Sequence, residues 1–138
     1  MAQVLISRLK KRADFLNARN GARSHERAFV LQLIERKDDD SQLRVGFTVT
    51  KKVGNSVIRS RIKRRLREAL RHATVPVLAS GCDAVLIARI EALNEPFEAL
   101  TSSVSAGLDK ALTKIHAGNG KANVANRVAK GQKRSADV

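Results

Sequence analysis

The sequence predicts an α+β domain, an α/β sandwich whose small mixed sheet contains a crossover through one strongly basic helix. Three observations lead there. Two stretches rich in strand formers, "RAFVLQLIE" (27–35) and "LRVGFTVT" (43–50), stand close together. From Ser56 the apolar residues recur at steps of three and four, and after them comes "DAVLIARI" (83–90), apolar on both faces. The order helix, strand, strand, helix, strand, helix then leaves strands on both sides of the basic helix, free to pair in parallel across it.

Each element has a local reason. Residues 13–20, "ADFLNARN", form a short helix ahead of Gly21, with Phe15 and Leu16 as its only large apolar groups. In 43–50, Leu43, Val45, Phe47 and Val49 alternate with Arg44, Gly46, Thr48 and Thr50, the period of a half-buried strand. The polar "RKDDDSQ" between the two strands reads as the turn of an antiparallel hairpin spanning 27–50. Asn55 or Ser56 caps the basic helix, whose apolar stripe is Ile58, Ile62, Leu66, Ala69 and Ala73. Ser60, Lys63, Arg64, Arg67 and Arg71 fall opposite that stripe, and Arg59, Arg61 and Arg65 flank it. The strand at 83–90, apolar on both faces, belongs in the middle of a covered sheet. A last helix begins at "NEPFEAL" with Asn94 as cap and points Phe97, Leu100, Val104, Leu108, Leu112 and Ile115 inward. Residues 1–116 make the single domain, and the small, polar, basic residues 117–138 read as a disordered tail.

Composition narrows the function. The chain of 138 residues carries 27 Lys plus Arg against 13 Asp plus Glu, a formal charge of +14, which points to a polyanionic partner. No apolar run approaches the ~20 residues needed to span a bilayer. The first residues put their few apolar groups before the charges, the reverse of a secretory signal, and the single Cys82 forms no internal disulfide; both fit the cytoplasm. Cys82 reads as a small buried hydrophobe.

The charge is concentrated. In "KKVGNSVIRSRIKRRLREALRHA" (51–73), nine Lys or Arg stand against one acid, Glu68. Like charges at i, i+3 and i+4 cost ~0.2–0.5 kcal/mol per pair, a penalty that a phosphate backbone removes while releasing counterions. Stacking platforms are scarce, because there is no Trp or Tyr and only four Phe. Phe15, next to Arg8, Lys10, Lys11 and Arg12, is the aromatic best placed for a single strand; Phe29, Phe47 and Phe97 read as core. His25, His72 and His116 sit apart from any nucleophile or carboxylate pair, and Asp38–Asp40 match no metal-ligand spacing, so the sequence offers neither a protein catalytic site nor a metal site.

The stretch "VGFTVTKKVGNSVIRSRIKRRLREAL" resembles the protein subunit of bacterial ribonuclease P, marked by a Lys-rich turn after a Gly-containing strand and then an Arg-Asn-Arg helix. "RLKKRADF" is similar to that family's first basic, Phe-containing helix, and the resemblance covers residues 7–116. It implies the fold of domain 2 of ribosomal protein S5, with a left-handed βαβ crossover through the basic helix. It also implies an accessory subunit of an endoribonuclease whose catalyst is RNA with bound Mg2+, removing the 5′ leader of precursor tRNA in a one-to-one protein–RNA complex. On that resemblance Lys51, Lys52, Asn55, Arg59, Ser60, Arg61, Lys63, Arg64 and Arg67 meet the RNA subunit. Arg12, Phe15, Arg19, Val30 and Gln32 line the cleft for the single-stranded leader. Ser60 stands where the family has Asn, and Arg19 where it carries a second aromatic or apolar group, which shifts leader binding from stacking toward charge. A ribosomal or ribosome-associated RNA-binding protein without processing activity is the alternative reading, and a DNA-compacting protein a further one.

Overall fold

The computed structural model describes residues 4–122, with side chains through His116. Five strands form one sheet: β1 (Ile6–Arg8), β2 (Ala22–His25), β3 (Phe29–Glu35), β4 (Leu43–Thr48) and β5 (Cys82–Ala88). Three α-helices accompany them, α1 (Arg12–Ala18), α2 (Ser56–His72) and α3 (Phe97–Ala122), and 3-10 turns occupy Lys51–Val53, Val77–Ala79 and Ile90–Leu93. No helix among the described residues is long and apolar enough to cross a membrane.

The sheet order is β1-β4-β5-β3-β2, with β5 at the centre. β4 and β5 run parallel and α2 connects them, so the expected crossover is present. The expected hairpin is not. β5 inserts between β3 and β4, pairing antiparallel with β3 from Phe29↔Ala88 to Glu35↔Cys82 and parallel with β4. β5 is apolar enough on both sides to be covered above and below, and all but one of its residues are buried. The turn at 36–42 straddles the start of β5: the Arg36 N–H donates to the Gly81 carbonyl at 2.9 Å, and the Gly81 N–H donates to the Ser41 carbonyl at 3.1 Å. Gly81 adopts φ +78°, a conformation that residues bearing a Cβ rarely hold.

α2 and α3 pack together on one sheet face and enclose the main core, which includes Phe29, Leu31, Leu33, Leu43, Ile62, Leu66, Leu86, Leu100, Val104 and Leu108. α1 lies on the other face over a smaller cluster of Leu9, Ala18 and Val85, joined by Phe15, Ile34 and Ile87. The helix predicted over 13–20 therefore exists, ending at Ala18. Asn94 does not cap the last helix; it ends the 3-10 turn before it, and α3 starts at Phe97 with the Pro96 carbonyl accepting from Leu100 N–H at 2.9 Å. Phe97, expected in the core, is 37% exposed and meets His72 edge-on with ring centroids 5.7 Å apart. α3 also continues to Ala122, six residues into the expected tail, because extending a packed helix costs far less than nucleating one. Residues 123–138 of that tail lie outside the described residues.

Candidate nucleic-acid interface

The basic helix is built as its sequence period requires. Ile62, Leu66, Ala69 and Leu70 are buried, while Ser60, Arg61, Lys63, Arg64, Arg67 and Arg71 are exposed. Asn55 Oδ1 accepts the Ile58 N–H at 3.0 Å, a side-chain cap worth ~1 kcal/mol. Asn55 therefore spends its acceptor on the fold and keeps its amide N–H groups for a partner. Lys51 and Lys52 project from the 3-10 turn just before the helix, both exposed, so two cations extend the basic face past the helix N-terminus. Arg59 is half-buried, its Nε–H donating to the Gly54 carbonyl at 3.2 Å.

Arg65 behaves differently from its neighbours. Its guanidinium donates to the carbonyls of Ala92, Leu93 and Glu95, two of the bonds at 2.7 and 2.8 Å, and so closes the loop between β5 and α3. This arginine belongs to the fold. Glu68, the helix's single acid, accepts from Arg71 at 2.8 Å on the exposed surface. Lys51, Lys52, Arg61, Lys63, Arg64 and Arg67 thus form a contiguous cationic face without an ion-pair partner among the described residues.

On the opposite side of the sheet, α1 closes one end of a shallow cleft. The Phe15 ring lies directly on the β4 backbone: a Cβ on Gly46 would sit 2.4 and 2.5 Å from two Phe15 ring carbons. Glycine is what lets the ring approach. Pairing places Val30 beside Ile87 and Gln32 beside Val85, so both share the sheet face that carries Phe15. Val30 is half-buried and Gln32 only 3% exposed, so Gln32 belongs to the floor and not to an open wall. Arg12 and Arg19 are exposed at the two ends of α1. The same face carries Arg23 and His25, opposite Gln32 and Val30 on β2, two exposed residues that the sequence alone did not bring to the cleft.

Comparison with known proteins places this arrangement. The family model for Ribonuclease P matches residues 6–112. The chain belongs to the Ribonuclease P protein family. A Ribonuclease P protein component from Brucella suis is 47% identical over 107 residues, covering 72% of this chain and 76% of the relative. One from Paramagnetospirillum magneticum is 44% identical over 118 residues, covering 81% and 89%. Among solved structures, the RNase P protein of Staphylococcus aureus superposes with a TM-score of 0.60 at 32% identity, covering 75% of this chain and 94% of that one. The RNase P protein of Thermotoga maritima gives 0.57 at 27% identity, covering 78% and 96%. The mixed five-stranded sheet with three helices is the fold of those proteins.

Within this member of the Ribonuclease P family, a buried ionic network fixes α1 to the sheet. Asp83, at the start of β5 and 4% exposed in its side chain, accepts from Arg44 Nε and Nη2, both at 2.7 Å, and from Arg36 Nη1 at 2.9 Å. Arg44 also lies 3.5 Å from Asp14 of α1. Hydrogen bonding to Asp83 holds the Arg44 guanidinium above its ordinary value, so it stays charged at every workable pH. Arg36 further binds Asp38 at 3.1 Å and the carbonyls of Cys82, Asp40 and Gln42, which explains the triple aspartate as a turn organised around one arginine. Cys82 is 1% exposed, and its thiol is pushed up to about 11 by burial and by the nearby Glu35 and Asp83 charges, against the opposing pull of Arg36.

Proposed function

We propose that this chain is an accessory subunit that binds the catalytic RNA of ribonuclease P through the outer face of α2 and receives the single-stranded 5′ leader of precursor tRNA in the cleft beneath α1. The observation that carries the reading is the cationic face of α2 and the turn before it, six exposed Lys and Arg with no ion-pair partner among the described residues, in a chain of this family. Such a face gains from every phosphate it neutralises, with a salt slope of about −0.7 to −0.9 per contact.

The cleft supports leader binding by a different balance of forces. Phe15 offers one ring, already half-covered by Gly46, whereas Arg12, Arg19, Arg23 and His25 surround the cleft with cationic or titratable groups. Charge supplies more of the leader affinity than stacking does, and leader affinity falls steeply with salt. Hydrolysis of the phosphodiester belongs to the RNA and the Mg2+ it binds. The chain's own contribution is to hold RNA phosphates, because its best-placed acids, Asp14, Asp38 and Asp83, are committed to Arg36 and Arg44. The work takes place in a one-to-one cytoplasmic complex.

Arg59→Ala with Arg61→Ala tests the docking face. The pair lies off the buried stripe, so cooperative unfolding persists while affinity for the RNA subunit drops at least tenfold at moderate salt. Unchanged affinity in a folded double variant would remove α2 from the interface. A generic RNA-binding module is distinguished by its indifference to which RNA is offered.

A further inference from the structure

The sheet has two outer strands, and the fold treats their free edges differently. On β2 the Glu26 N–H donates to the Phe29 carbonyl at 2.8 Å, so alternation along the ladder turns the backbone groups of Arg23 and His25 outward. α3 closes over that edge: Lys114 donates its amine to the Arg23 carbonyl, and one turn earlier Lys110 meets Glu26 at 3.2 Å. A lysine on an edge strand is one of the ways a protein stops another chain from adding to its sheet.

β1 carries no such guard. The Leu43 N–H donates to the Leu5 carbonyl at 2.9 Å and the Leu9 N–H to the Val45 carbonyl at 3.0 Å, so Leu5, Ser7 and Leu9 turn their backbones toward β4. The N–H and C=O of Ile6 and Arg8 point the other way and have no partner among the described residues. On the two faces of this open backbone stand Leu5, 68% exposed, and Ile6, 42% exposed, and no other large apolar side chain among the described residues is as exposed as Leu5. Val4, just before them, packs on the main core and holds the start of the strand in place. Beside the same edge, Arg8, Lys10 and Lys11 line a pocket of about 520 Å³ with Ser7, Asp14 and Arg44. Asp14 lies 3.5 Å from Arg44, so the pocket's one acid is already committed and the three exposed cations stay unbalanced.

We infer that the free edge of β1 takes an extended acidic segment of a partner protein as an added strand. The segment's backbone pairs with Ile6 and Arg8, its alternate apolar side chains cover Leu5 and Ile6, and its carboxylates meet Arg8, Lys10 and Lys11. A second copy of this chain fits poorly, because it would set the same three cations against themselves. Nucleic acid fits poorly too, since it has no alternating main-chain donors and acceptors to offer a strand edge and gains little from two aliphatic side chains.

Solvent exchange of backbone amides, read by NMR on the isotope-labelled full chain, tests the inference with synthetic peptides that alternate valine and threonine between acidic, neutral or basic ends. The acidic peptide slows exchange at Ile6 and Arg8 by about tenfold or more and leaves Arg23 and His25 unchanged, while the basic peptide binds about tenfold more weakly. Ile6→Pro removes one outward donor without touching a bond to β4, so cooperative unfolding persists and affinity for the acidic peptide falls about tenfold. Should that variant fail to fold, Leu5→Ser, at an exposed position, replaces it, and a drop of about threefold or more is expected. No protection of Ile6 and Arg8 by any of the peptides, or full affinity in a folded variant, would overturn the inference. Protection that grows with protein concentration alone would give the edge to a second copy, and the same protection by a bacterial ribonuclease P RNA would give it to RNA; either result overturns the inference as well.

Discussion

Replacing Asp83 by alanine removes the acid on which two arginines converge, and the structure sets the size of the effect. Arg44 loses both of its 2.7 Å bonds and keeps only Asp14, 3.5 Å away. Arg36, 7% exposed in its side chain, loses one 2.9 Å bond but retains Asp38 and three backbone carbonyls. Breaking a buried pair by deleting one partner costs ~3–5 kcal/mol, mostly from the charge left behind. Arg36's remaining partners and Arg44's partial exposure place the expectation at the lower end, about 3 kcal/mol, against a total stability of ~5–15 kcal/mol. Urea unfolding at neutral pH measures it, with Arg44→Ala and the double variant completing a cycle whose coupling energy is about 2 kcal/mol. A loss below about 1 kcal/mol, or additive effects in the cycle, would refute the claim that this network holds α1 to the sheet.

Other perturbations separate the fold from the interface. Gly46→Ala places a methyl group 2.4 Å from the Phe15 ring, so the ring must move; stability falls by ~1–3 kcal/mol and leader affinity falls with it, measured by urea unfolding and by titration with a precursor tRNA. Arg65→Ala lowers stability by ~1.5–3 kcal/mol through its lost carbonyl bonds, whereas Arg64→Ala leaves stability within ~0.5 kcal/mol and weakens RNA binding; the reverse pattern in melts and binding would contradict the division between them. The Cys82 thiol is raised from 9.0 to about 11, so the unfolded chain loses that proton first; its contribution is complete below pH 9 and declines as pH rises toward 11. A thiolate-selective reagent at pH 8 therefore labels Cys82 only after unfolding.

Much of this was readable in the sequence, and for physical reasons. α2 is amphipathic over seventeen residues, long enough for its period to fix both the buried stripe and the cationic face. β5 announced its central place by being apolar on both faces. The hairpin failed because alternation and a polar turn are local signals, whereas the partner of β3 was decided by a strand some fifty residues further on. β1 and β2 escaped notice because "ISR" and "ARSH" are too short and too polar to show a period. The Asp83 network joins residues 39 and 47 positions apart, a distance at which no spacing rule operates. Arg65 looked like one more member of a basic run, and only the position of the 90–95 loop shows what it binds.

The account's central claim is tested most directly by precursor-tRNA cleavage at low Mg2+, comparing a bacterial ribonuclease P RNA alone, this protein alone, and the two together. Cleavage at the mature 5′ end only when both are present is the predicted result. Cleavage by the protein alone, or no change on adding a protein that still binds the RNA, would contradict a subunit whose role is to hold RNA while RNA performs the chemistry.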